Sequence, residues 1–150
     1  MLLTAKILLT IATLGYSAIP FLFDSNKTHW YNKSWTAHGR FHCVWQVMSY
    51  VYIGIVALAL IWTANGVTWH IWLAAILAAC AYGGFWTAVF LRGKFGLDLD
   101  LVDQVDGVPP FMLPIIGESD ANVTLFTTAV IILGTGAAAL AIAAAAVQAV

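Results

Sequence analysis

Residues 41–91 read FHCVWQVMSYVYIGIVALALIWTANGVTWHIWLAAILAACAYGGFWTAVFL, fifty-one positions without a single Asp, Glu, Lys or Arg. A helix that crosses a bilayer needs about 20 consecutive apolar residues, so this stretch holds two spans and one short reversal. The reversal falls at Thr63-Ala64-Asn65-Gly66, because Asn-Gly favours a tight turn. Two further charge-free runs flank it, Ile7–Phe23 and Ala121–Val150. The apolar pattern predicts helices over about 3–23, 37–62, 68–91 and 122–148. Together they make an all-α membrane protein, an antiparallel four-transmembrane-helix bundle in a single integral domain over residues 1–150, with both termini on one side.

The composition agrees. Of the 150 residues, 62% are hydrophobic and 9% are charged, where soluble domains carry roughly 25% charged residues. A soluble domain of this length leaves a large share of its chain exposed and could not bury so much apolar surface. Mean hydropathy is +0.90. The net charge of −1 argues against a nucleic-acid partner, which would ask for a basic face. The first segment opens with Lys6 before an apolar run, as a signal peptide does. It lacks a small-residue cleavage site and stays apolar through Phe23, so it is read as a span.

Polar residues gather in the segments 24–36 and 92–121, which the topology puts on the same side. All seven acids lie there, with Lys27, Lys33, Arg40, Arg92 and Lys94 in or beside them, and only Lys6 falls on the other side. Cytoplasmic loops carry the Lys/Arg excess, which places these two loops in the cytoplasm and both termini opposite. Tryptophans follow an interfacial belt: Trp30, Trp35 and Trp45 at one level, Trp62, Trp69 and Trp72 at the other. His70 belongs to that second interface. Cys43 and Cys80 differ by about 10 Å in depth along their helices, too far for a disulfide.

The chemistry-bearing stretch is residues 28–42, which holds three of the four histidines. Thr36 suits the N-cap of the second helix and sets His38 and His42 four apart on one face. Imidazoles at that spacing can share a metal ion. Gln46 and Tyr50 continue the stripe and are candidate cofactor-binding residues. Polar groups inside a span are costly unless they face partners or water, so the stripe is expected to face the interior. The topology brings Glu118 and Asp120 to the same face as the histidines, as candidate catalytic carboxylates. Asp120 or Ser119 also suits the cap of the fourth helix, where acids favour the dipole, and Glu118 also reads as a solvated loop acid.

Other stripes read as structure. Lys6, Thr10, Thr13 and Ser17 run along the first helix, where Lys6 snorkels and the hydroxyls return to their own backbone. Gly134-Thr135-Gly136 and the alanines that follow suit close helix contact or a homo-oligomer. Asp98, Asp100, Asp103 and Asp106 miss the calcium-loop spacing. Alternating with leucines and valines, they suit a loop lying on the interface over 92–121. Val108–Pro114 is too rich in proline for a regular helix and suits an apolar flap over the mouth of the bundle.

The pattern H-x-x-N-x-x-W-x-x-H-x-R-F-H, running from His29 to His42, resembles a signature of small multi-pass membrane proteins. That family, with fungal and bacterial members, is grouped as a domain of unknown function. The similarity covers the first helix to early in the second, with a weaker likeness at the Gly117–Asp120 turn. The chain departs from it at Lys33, where the family carries proline. The resemblance implies a four-helix membrane protein with a His-rich start to its second helix, and no reaction.

Several readings of the cluster stand open. His29, His38, Arg40 and His42 form an interfacial set that caps and meets headgroups, or a centre at the cytoplasmic mouth. Such a centre would have His29, His38 and His42 as metal ligands, with Glu118 or Asp120. Three imidazoles and a carboxylate suit zinc or non-haem iron with an open position. A mouth site of that kind serves a lipophilic small molecule, sterol-, terpene- or quinone-like, arriving from the lipid bilayer. A different class of answer is an accessory subunit docked on other membrane subunits without catalysis of its own.

Overall fold

In the computed structural model, residues 1–97, 99, 110–114 and 117–149 are described. Four long helices appear: α1 (Leu2–Asp24), α2 (Ala37–Thr63), α3 (Trp69–Leu91) and α4 (Ala121–Gln148). Each bound lies within one residue of its sequence expectation. All four are long and apolar enough to cross a membrane. Between α3 and α4 a short antiparallel ribbon joins β1 (Phe111–Leu113) to β2 (Gly117–Ser119), with Met112 opposite Glu118. The acidic run from Asp98 to Asp106, apart from Leu99, and the Val108-Pro109 pair lie outside the described residues.

Local chemistry accounts for the boundaries. The Thr36 hydroxyl accepts the Gly39 N–H at 3.0 Å and starts α2. Asp120 does the same for α4, its Oδ1 accepting the Val123 N–H at 2.9 Å. Between α2 and α3, Gly66 takes φ +82°, a left-handed conformation that glycine adopts without a Cβ penalty.

Helix α1 is the hub and packs against each of the other three. Its buried face is Ala5, Leu9, Ala12, Tyr16, with Thr13 and Ser17 alongside, at alternating spacings of three and four. The hydroxyls of Thr13 and Ser17 return to the carbonyls of Leu9 and Thr13, 2.8 and 2.7 Å, as expected of such residues in an apolar helix. Helix α2 buries Val47, Gly54, Ala57 and Ile61, and α3 buries Ile71, Ala74, Ala75, Ala78 and Tyr82.

Two close approaches fix α1 against its neighbours. A Cβ on Gly54 would stand 2.5 Å from Ser17 Cβ, so α2 reaches α1 only with glycine there. Against α4, a Cβ on Gly136 would meet Leu9 at 3.2 Å and Leu8 at 3.1 Å. Of the small pair expected there, only Gly136 takes part, since a Cβ on Gly134 would meet nothing within 4 Å. The contact with α3 is made by Tyr82, whose hydroxyl donates to the Ala12 carbonyl. Its ring meets Tyr16 edge to face, with centroids 6.0 Å apart.

At the far end, Lys6 Nζ donates to the Ala64 carbonyl at 2.8 Å, and Trp62 Nε1 donates to Thr10 Oγ1 at 3.0 Å. The outer faces are apolar. Leu3, Ile11, Ile55, Ile76, Ile131 and Ile142 are all exposed, and only 22–33% of each helix's most apolar window is buried.

The Gly54–Ser17 approach makes a sharp forecast. Gly54→Ala should lower stability in detergent by about 1–3 kcal/mol, the usual cost of overpacking. Gly134→Ala should leave the thermal midpoint unchanged or slightly raised, because alanine favours helix. Circular dichroism melts of the two variants check both, and Ser17→Gly added to Gly54→Ala should recover part of the loss.

Candidate functional site

The segment between α1 and α2 is held by its own side chains. Asn32 is buried, its Oδ1 accepting both the Ser34 N–H at 2.9 Å and the Ser34 hydroxyl at 2.6 Å. Its Nδ2 donates to the Thr28 carbonyl at 3.0 Å. Arg40, in the first turn of α2, donates through one guanidinium nitrogen to the carbonyls of Asn32 and Trp35, 2.9 and 2.6 Å. The asparagine and arginine of the sequence motif are therefore fasteners of this loop.

A second relay sets the state of His29. The amide of Asn26 is oriented by donating to the Phe23 carbonyl at 2.8 Å, while its Oδ1 accepts the Thr28 N–H at 2.8 Å. That oxygen also accepts the Thr28 hydroxyl proton at 2.7 Å. With its one proton spent, Thr28 Oγ1 can only accept from His29 Nδ1, which lies 2.7 Å away. His29 Nδ1 thus carries a proton and donates it to Thr28 Oγ1. The Asp24 carboxylate stands 3.8 Å from the same Nδ1. Trp35 braces the imidazole edge to face, with centroids 5.3 Å apart.

Next to this relay opens a cavity of about 360 Å³. Pro20 and Asp24 from the end of α1, His29 and Trp35 from the loop, and Phe126 from α4 contribute to its wall. Helix α2 supplies Gly39, His42, Cys43, Gln46, Val47 and Tyr50. A second cavity of about 350 Å³ shares His29 and Gln46, and adds Phe85, Arg92, Leu99 and Asn122. Both therefore lie where the C-terminal ends of α1 and α3 meet the N-terminal ends of α2 and α4. Gln46 Nε2 donates to the Tyr50 hydroxyl at 3.1 Å, joining two of the expected stripe residues.

Four of the sequence-derived candidates, His29, His42, Gln46 and Tyr50, line the first cavity. His38 faces outward and pairs with His42, the two Nε2 atoms 2.9 Å apart. Glu118 is exposed on β2, and Asp120 is occupied as the α4 cap, so neither wall includes them. Among the described residues no three His, Cys, Asp or Glu side chains converge closely enough to hold one metal ion. Asp24, Trp35, Cys43 and Phe126 are wall residues that sequence reasoning did not single out. Asp24 carried a usable signal: it ends the apolar run five residues before His29. No protein-family model, curated protein or solved structure matches the chain.

Arg40→Ala should free the loop. Amide hydrogen exchange over residues 25–36 should speed up, and stability should fall by about 1.5–3 kcal/mol, the range for a hydrogen bond to a charged group. Arg40→Lys should not restore protection, because the lysine nitrogen sits one bond closer to the backbone than the guanidinium nitrogen that reaches both carbonyls.

Proposed function

We propose that this chain is an antiparallel four-helix bundle of the membrane whose polar end receives the head of a lipophilic small molecule. The contact pattern supports the arrangement: Lys6, Thr10 and Ser17 along α1 meet Ala64 at the C-cap of α2 and Trp62 and Gly54 within it, rising on one helix and falling on the other. Ligand pockets of 300–1,000 Å³ with apolar walls and a few converging polar groups are the general form of small-molecule sites. The first cavity has that form, with Pro20, Val47 and Phe126 as apolar wall and Asp24, His29, Gln46 and Tyr50 as polar contacts.

The observation that carries the reading is the His29 ring held by Thr28 and Trp35 beside Asp24 at the cavity wall. An imidazole fixed through Nδ1 leaves Nε2 outside the relay to form a hydrogen bond with a ligand oxygen. Gln46 and Tyr50 supply further polar contacts for a hydroxyl or carbonyl. The substrate class that fits is a sterol-, terpene- or quinone-like compound, its apolar body in lipid and its oxygen at the mouth. The Lys/Arg excess puts this mouth, with the loops 24–36 and 92–121, on the cytoplasmic side.

Organic extracts of the detergent-purified protein test the reading. Mass spectrometry of wild type should show one oxygenated lipophilic compound enriched over the membrane background. Gln46→Trp, which fills the cavity from an exposed helix position, should deplete it at least tenfold, and His29→Ala should deplete it as well. Equal extracts from all three proteins would refute the binding site.

A further inference from the structure

His38 and His42 lie outside the relay that holds His29, and their geometry has its own meaning. Both rings are exposed, in the first two turns of α2. Their Nε2 atoms are 2.9 Å apart, with ring centroids separated by 4.4 Å and planes at 87°. Phe41 stacks parallel to His38, at 11° between planes and 6.4 Å between centroids. Trp45 lies over His42 at 5.8 Å. The two imidazoles therefore hold matching nitrogens side by side at the exposed surface.

We propose that His38 and His42 chelate one divalent first-row metal ion in tetragonal coordination, Cu²⁺ or Ni²⁺, at the rim of the mouth. A right-angle chelate keeps the separation that the pair already has. With metal–nitrogen bonds of about 2.0–2.1 Å, a separation of 2.9 Å closes a nitrogen–metal–nitrogen angle of about 90°. A right angle is the cis angle of a square-planar or octahedral ion, and a tetrahedral ion would hold the nitrogens further apart. Tetragonal nitrogen and oxygen sites suit Cu²⁺ and Ni²⁺.

Without metal, one Nε2–H donates to the lone pair of the other ring. On binding, the donor ring shifts its proton to Nδ1, so both Nε2 lone pairs reach the metal and no net proton is released. Water fills the remaining positions. His29 takes no part, since among the described residues no third His, Cys, Asp or Glu converges with the pair. The site does not rest on the cavity's occupant.

The test uses the full chain in detergent, without an affinity tag of histidines, titrated with Cu²⁺ alone. Wild type should bind one ion per chain more than the His38→Ala/His42→Ala double variant. Its electron paramagnetic resonance spectrum should be axial, with hyperfine coupling to two equatorial nitrogens. Each single histidine variant should weaken binding about tenfold or more, the smallest loss that even outer-shell changes produce at metal sites. His29→Ala should bind as wild type, and part of the tryptophan quenching should vanish in Trp45→Phe.

Equal binding by wild type and the double variant would overturn the proposal. So would loss of the ion in a folded His29→Ala, which would make the centre a three-histidine one. If the substituted chains fail to fold, the nitrogen count on wild type still decides, because one nitrogen or three contradicts a two-histidine chelate.

Discussion

The close approach of α1 to its neighbours is the constraint on which the other features depend. In a lipid environment apolar side chains gain little by leaving the solvent, so helices associate through tight packing and polar contacts. Gly54 under Ser17 and Gly136 against Leu9 let two helices reach α1, while the Tyr82 hydroxyl joins α3 to the Ala12 carbonyl. Packed this way, α1 delivers Pro20 and Asp24 beside the first turns of α2. The mouth is a consequence of that seam.

The loop after α1 then does for the mouth what the glycines do for the core. It is short, polar and nearly self-sufficient in hydrogen bonds, with Asn26 and Asn32 each acting as a local hub. Arg40 ties it to α2 through two carbonyls, which places the arginine's charge in a structural role. His29 is the residue these contacts leave poised. The proton on its Nδ1 follows from the single proton on the Thr28 hydroxyl.

Much of this was legible in the residues themselves. The helix limits follow from charge-free runs, and the caps at Thr36 and Asp120 from side chains that satisfy the first free N–H groups. The turn at Gly66 follows from Asn-Gly. The shared position of His29, His42, Gln46 and Tyr50 follows from one polar stripe leading out of one loop. Other features depend on tertiary contacts that no local pattern encodes. Tyr82 reaches Ala12 across seventy positions, and Phe126 enters the wall from the last helix. The β1–β2 ribbon has strands of three residues, too short to show alternation. Asp120 looked equally fit for cap and catalyst, and its bond to Val123 accounts for the cap.

The account stands or falls on the four helices crossing the bilayer in alternating directions, with the histidine mouth on a single face. Single cysteines placed at the exposed positions Lys27, Asn65, Glu118 and Gln148, in a chain carrying Cys43→Ala and Cys80→Ala, can be labelled in sealed vesicles with a membrane-impermeant maleimide. Lys27→Cys and Glu118→Cys should react from one side, the cytoplasmic one, and Asn65→Cys and Gln148→Cys only from the other. Labelling of Lys27→Cys and Asn65→Cys from the same side would contradict the alternating arrangement, and with it the mouth assembled from all four helices.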